Sequence, residues 1–293
     1  RFPKNVKKVT VRIIGDTRVI SPVKKKIIGE KISTSEILVN EMIEKRDKSK
    51  LLELARMQIY YGSHMLAINC SERSRTEAED MEWVFRTIQN EIEIPLCVDS
   101  VNADVQEAGL KFHKHGRSLL NSVTADRKRM ADNFPLVKKY NAQVVAMLEG
   151  ETGIGKDIDS HLKEIPEILA VAEEYGILQE DIFIDCMVFP LSIDWTHAQC
   201  YLQAITRVKT DFPRVKTICG LNNMSFGLPQ VDLIDQAFIV MCAAAGQDAV
   251  LIDLKKETGA MLRTVKALQG EDPYCMEYIE AFRRQDLNIF KEF

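Results

Sequence analysis

Carboxylates and carboxamides stand where the apolar runs of this chain stop: Glu30, Asn69, Asp99, Asn121, Glu149, Asp185, the pair Asn222 and Asn223, and Asp253. None of these is a strong covalent nucleophile. A carboxylate accepts hydrogen bonds, and a carboxamide both donates and accepts without charge. A set of such groups suits a polar heterocycle better than a phosphate. Asp185 makes the sharpest case. Cys186-Met187-Val188-Phe189-Pro190 follows it and no helix begins there, so a carboxylate is left between two apolar segments and needs a partner. Two adjacent N–H donors on a ligand would supply one in bidentate geometry. Asp99 and Asn121 have a competing use as helix caps, because Ser100 and Asn102 follow the first, and Ser122 and Thr124 the second.

The stretch Lys216 to Pro229, KTICGLNNMSFGLP, joins a β-branched run to a polar turn and then to a long apolar helix. That is a strand-to-helix junction, the place where α/β folds carry ligand chemistry. Asparagine in such a turn also commonly satisfies its own backbone, so the two amides admit either use. A second stretch, GETGIGKD at 150–157, has phosphate-loop spacing after a strand. Asp157 stands where that motif needs Ser or Thr, and Glu151 and Asp159 would repel phosphates. The expectation is a loop whose Lys156 contacts an anionic part of a ligand.

The elements that must position these groups alternate. Eight strand candidates end near the polar residues above, each followed by helical apolar spacing, and the ends lie 22 to 39 residues apart. Such alternation implies a parallel sheet, and about 30 residues per unit suits an eight-fold α/β barrel. An open doubly wound sheet would need fewer strands or a visible edge. Val9 to Ser21, with Gly15-Asp16 between two alternating runs, predicts a hairpin within a 1–23 extension. Tyr274 to Phe290 predicts a last amphipathic helix within 274–293. The whole, 1–293, reads as a single domain.

Several classes are disfavoured. The net charge is −4 with no long basic stripe, against nucleic acid as a partner. Only His113 and His115 are close among five histidines, with no ligand-spaced Cys or Glu, so no metal site is expected. The longest fully apolar run, Ala237 to Ala245, is too short to cross a bilayer, and no signal-peptide pattern is visible. Seven cysteines without CxxC spacing fit reduced thiols in a cytoplasmic protein.

CVDS at 97–100, LLNSVT at 119–124, FIDCMVFP at 183–190 and GLNNMSFGLP at 220–229 stand in one order, each at an expected strand end. In this the chain resembles the pterin-binding barrels, the group of dihydropteroate synthases and methyltetrahydrofolate–corrinoid methyltransferases, and is most similar to the latter. The resemblance runs from about Lys26 to Asp272. It implies a TIM-like (β/α)8 barrel, a homodimer, and a pterin lying in the barrel mouth. Residues matching Asp99, Asn121 and Asp185 would hold the ring edge, with Asn69 and Glu30 also lining the pterin site. Asn223 would stand beside the ring nitrogen that carries the methyl group, as the catalytic amide. The implied reaction moves a methyl group between tetrahydrofolate and the cobalt of a corrinoid, as in acetogenic or anaerobic demethylase metabolism. The corrinoid is expected on a separate partner protein, because no Asp-x-His-x-x-Gly run occurs; Asp194-Trp195-Thr196-His197 has the wrong spacing. Two departures stand out. Ala67 replaces an acid that many relatives carry, and the Arg-x-His pattern of the synthases is missing near the last strand, where Asp253 and Lys255-Lys256 stand. The alternatives are a dihydropteroate synthase-like enzyme and a non-catalytic folate-binding barrel. No general acid is identifiable.

Overall fold

A computed structural model describes residues 25–149 and 158–287. The predicted hairpin and Lys156 lie outside them, as do the last residues of the predicted C-terminal helix. Eight parallel strands form one sheet: β1 Lys26–Ser33, β2 Met65–Asn69, β3 Leu96–Asp99, β4 Leu119–Thr124, β5 Gln143–Met147, β6 Ile182–Asp185, β7 Lys216–Ile218 and β8 Ala249–Ile252. The order is β7-β6-β5-β4-β3-β2-β1-β8. Past the end of β7, the Leu251 N–H donates to the Cys219 carbonyl at 2.7 Å and Gly220 bridges Leu251, which closes the barrel.

The helices are α1 Ile37–Glu44, α2 Lys48–Tyr60, α3 Glu77–Gln89, α4 Ala103–Leu110, α5 Arg127–Lys139, α6 Ile158–Leu162, α7 Glu164–Glu174, α8 His197–Asp211, α9 Val231–Ala245, α10 Lys256–Leu268 and α11 Met276–Arg283. Between β5 and β6 the helical segment is split in two, α6 and α7, with Lys163 between them. None of these helices is long and apolar enough to cross a membrane. All seven cysteines are free, and five are buried.

Strand side chains alternate between faces, so the chain builds two cores. The outer one lies between sheet and helices. The inner one fills the barrel with side chains from every strand, among them Ile28, Ala67, Cys97, Leu119, Val145, Phe183, Ile218 and Leu251. The floor of the barrel is basic. Lys26 donates to Gln143 Oε1 at 2.8 Å, and the Lys26 and Lys216 ammonium groups lie 5.5 and 5.0 Å from the Phe183 ring centre. Burial, helped by Lys216, lowers the Lys26 pKa to about 8.

Two strands run further than their sequence suggests. β1 continues past Glu30 to Ser33, and β4 past Asn121 to Thr124, each through a bulge. On β1, Glu30 and Lys31 together face Ala67, because Gly29 pairs with Leu66 and Ile32 with Ile68. On β4, Asn121 and Ser122, joined by a cis peptide, face Val145. A bulge breaks the ladder and re-aims its side chains. At β1 the freed backbone is caught from behind: the Lys31 N–H donates to Gln58 Oε1 at 3.0 Å, and the Gly29 N–H to Ser63 Oγ at 3.1 Å. A side chain at position 29 would collide with Gln58 Oε1. Gly29→Ala is therefore expected to lower stability by about 1–3 kcal/mol, the cost of overpacking. Urea denaturation read by circular dichroism checks this; an unchanged midpoint would mean that Gln58 yields freely.

Candidate functional site

Parity places the polar groups. Two residues beyond the inner-core Ile28, Ala67, Cys97, Leu119, Phe183 and Leu251 come Glu30, Asn69, Asp99, Asn121, Asp185 and Asp253. They form a polar ring at the C-terminal mouth. On β5 the corresponding residue is Met147, and Glu149 lies past the strand end and exposed. On β7 it is Gly220, from which Asn223 is presented one 3₁₀ turn later.

Asp99 is held by both neighbours. Asn69 Nδ2 donates to its Oδ2 at 3.2 Å, and Asn121 Nδ2 to its Oδ1 at 2.9 Å. The Asn69 carbonyl oxygen accepts from the Ser71 backbone at 3.1 Å and hydroxyl at 2.8 Å, which fixes the amide's orientation. Capping falls to other residues: Asn102 caps α4 and Asp126 caps α5. Asp185 receives the Met187 N–H at 2.8 Å on Oδ1, and Met187 takes a left-handed backbone (φ 57°) to reach it. Burial raises the Asp185 pKa to about 7 against the pull of that N–H. It raises Asp99 to about 6 against its two amide donors. Glu30 rises to about 8 through burial and the company of Asp99, Asp253 and Asp235. Three acids so placed favour a ligand that brings N–H donors to them.

The two adjacent asparagines part company. Asn222 Nδ2 donates to Asp235 Oδ2 on α9 at 2.7 Å, and its carbonyl accepts the Asp253 N–H at 3.1 Å. It ties the β7 turn to α9 and to the end of β8. Asn223 is exposed. Its amide nitrogen would lie 3.1 Å from a Cβ at position 220, so a glycine there leaves the amide room. The loops after β6 and β7 are fastened together by Leu191 N–H to the Met224 carbonyl (3.1 Å) and Ser192 Oγ to the Phe226 carbonyl (2.8 Å). Sequence reasoning missed Lys31, whose ammonium reaches Asp253 Oδ2 at 3.0 Å and Glu36 at 3.3 Å. The bulge hides it, since regular alternation would put residue 31 on the outer face.

A model of the pterin binding enzyme family matches residues 34–253. The chain belongs to that family. Among curated relatives, this pterin-binding barrel is 27% identical over 262 residues to a methylcorrinoid:tetrahydrofolate methyltransferase of Eubacterium limosum, covering 88% of this chain and 96% of that protein. Methionine synthases of Mycobacterium leprae and Mycobacterium tuberculosis are each 27% identical, but this chain spans only 20% and 23% of their lengths. The fold matches DHPS from Yersinia pestis with TM-score 0.67 at 15% identity, covering 89% of this chain and all of that one. It also matches Xanthomonas albilineans dihydropteroate synthase with TM-score 0.64 at 16% identity, over 85% and 93% of the two chains. The barrel and the family reading of the sequence hold.

The raised carboxyls carry a sign for stability. Unfolded, each titrates near 4, so between about pH 4 and 7 the folded state holds more protons than the unfolded one. Stability then falls as pH rises. The penalty is absent below about pH 4 and is complete for Asp185 once pH has passed its folded pKa of about 7. The melting temperature of the ligand-free protein is expected to fall between pH 5 and 7.5, less steeply in Asp185→Asn. Calorimetry across that window checks this, and identical slopes in the two proteins would refute it.

Proposed function

We propose that this protein transfers a methyl group between tetrahydrofolate and the cobalt of a corrinoid carried by a separate protein. The polar ring carries the reading. Asp185, with no side-chain partner among the described residues, suits the adjacent N–H donors of a pterin's pyrimidine edge. Asp99, set by Asn69 and Asn121, suits another point on the same ring. The methyltransferase named for methylcorrinoid and tetrahydrofolate aligns along nearly its whole length, which supports the same two reactants here. Against the synthase alternative, Lys255 beyond β8 is already paired with Asp232, and no Arg-x-His set stands near it.

The corrinoid's cobalt(I) supplies the nucleophile or, methylated, the donor. The barrel's own contribution is position and hydrogen bonding at the nitrogen whose charge changes. We assign that hydrogen bond to Asn223. It is exposed, free to turn carbonyl or NH₂ toward the ring, and separated from the bracing role of Asn222. Ile193, Trp195 and Phe226, all at least 73% exposed, sit on the fastened loops beside it. They would form the apolar rim against which the corrinoid protein seats. We place the protein in the cytoplasm, in line with its free thiols.

A homodimer also belongs to this reading. The outward face of α9 exposes Leu233, Ala237, Val240, Met241 and Ala244, a helical stripe with no ionisable residue. Uncharged and apolar, it can meet its own copy across a two-fold axis without like-charge repulsion. Met241→Glu is expected to turn a dimer into a monomer in analytical ultracentrifugation; a mutant that stays dimeric would exclude this face.

The central test is methyl transfer with purified corrinoid protein and tetrahydrofolate. Asn223→Ala is expected to lose at least about tenfold in single-turnover rate, since one preorganised donor is commonly worth ~10²–10³. Its folate affinity should change less than about threefold, the pattern of a transition-state contact. Asn222→Ala should instead cost about 1–3 kcal/mol of stability, because a buried acceptor and donor lose their partner. Exchanged outcomes for the two variants would show that Asn222 is the reacting amide.

A further inference from the structure

Recognition of the ring leaves one acid at the mouth without a role. Of the acids gathered there, Asp99 takes two amide donors, Asp185 a backbone N–H, Asp253 the Lys31 ammonium and Asp235 the Asn222 amide. Glu30 has no hydrogen-bond partner among the described residues. Asp99 at the end of β3, Asp253 past β8 and Asp235 on α9 act on it as like charges, and Lys31 acts as an opposing one. That lysine is already engaged by Asp253 and Glu36. Carboxyls crowded in a partly buried site cannot all ionise, and the one lacking a donor keeps the proton. Its place follows from the fold. Gly29 pairs with Ile252, so Glu30 comes next to Asp253, and the bulge sets it opposite the small Ala67.

Around the barrel, Asp99 ends β3 and Asn121 belongs to β4; Asn223 follows β7 and Asp253 follows β8 across from them, while Glu30 on β1 stands between the two groups, beside Asp253 and one strand removed from Asp99. A bicyclic ring held by Asp99 and Asn121 reaches toward Asn223 and Asp253 with its far side, and Glu30 flanks it from β1. The chemistry there requires a proton. When the N–CH₃ bond breaks, the methyl group leaves without the bonding pair and joins the electron pair of cobalt(I). The nitrogen keeps the bonding pair and must gain H⁺ to end as N–H. In the opposite direction the N–H proton must leave as the methyl arrives. We infer that Glu30 exchanges this proton with the pterin nitrogen, directly or through one water, giving it when folate is demethylated and taking it when folate is methylated. This inference rests on the methyl-transfer reading above. Burial and its acidic neighbours raise the Glu30 pKa to about 8, so both protonation states are accessible near neutral pH, where a proton-exchanging group works best.

The experiment uses the full chain, wild type and Glu30→Gln. Single-turnover transfer from methyltetrahydrofolate to a purified, reduced corrinoid protein is followed by cobalt absorbance from pH 5.5 to 9, in H₂O and D₂O. Titration calorimetry gives tetrahydrofolate affinity. The expected variant binds folate within about threefold of wild type. It transfers methyl at least about tenfold more slowly, since a positioned acid is commonly worth ~10²–10⁴. It also loses the wild-type break in the pH profile and the solvent isotope effect. Glu30→Asp, which keeps the acid one methylene back, is expected to restore part of the rate and a displaced break. Unchanged rate and pH profile in Glu30→Gln overturn the inference. Lost folate affinity at unchanged bound-state rate also overturns it, because Glu30 would then be a binding group. A wild-type protein that transfers no methyl group fails at the earlier step and sinks the methyl-transfer reading itself.

Discussion

In a closed parallel barrel every second side chain points inward, and there is room for only a few layers of them. The middle layer here is apolar and close-packed. The next inward position on most strands therefore emerges at the mouth, where no more apolar filling is needed and polar groups can face a ligand. This alternation selects Asn69, Asp99, Asp185 and Asp253 together, although their elements are far apart in sequence. It also separates an acidic mouth from a floor built on Lys26 and Lys216. Substituting a layer residue such as Cys97 or Phe183 would disturb both ends at once.

Within the mouth, donors are distributed unevenly, and the unevenness gives the site its character. Asp99 is locked by two amides, one of which is itself locked by Ser71. It is rigid before anything binds. Asp185 takes a single backbone N–H and keeps capacity for more. Asn222 spends both ends of its amide on the scaffold, and the neighbouring Asn223 is thereby left to the solvent side. Adjacent residues of one type thus divide into a brace and a free group because a 3₁₀ turn points them in different directions.

Much of this could be read from the chain. Eight βα units, the polar strand ends and the GLNNMSFGLP turn are local patterns, and each is set by residue types close in sequence. What escaped was non-local. The bulges in β1 and β4 left strands that look finished at Glu30 and Asn121, since the extra residue breaks the alternation by which a strand is recognised. Capping is open to Asp99 and Asn121 in the sequence, but in the fold Asn102 caps the helix after the first and Asp126 the helix after the second. Lys31 reads as an outward residue and turns to Asp253 only because of the bulge. Met147, rather than Glu149, meets the mouth on β5, because the strand ends earlier than its polar residue.

Gln58 extends this to the ligand's surroundings. It is fully buried on α2, in the layer between sheet and helix, and its carbonyl holds the β1 bulge by the Lys31 N–H. No ligand in the mouth could touch it. Yet the aim of Glu30 and Lys31 rests on that acceptor together with Ser63, with Gly29 leaving both of them space. The barrel therefore has a control point on its reverse side. Variation at α2 could retune the acid end of the mouth while every residue lining it stays the same, a route by which relatives with identical linings could come to differ in pH response.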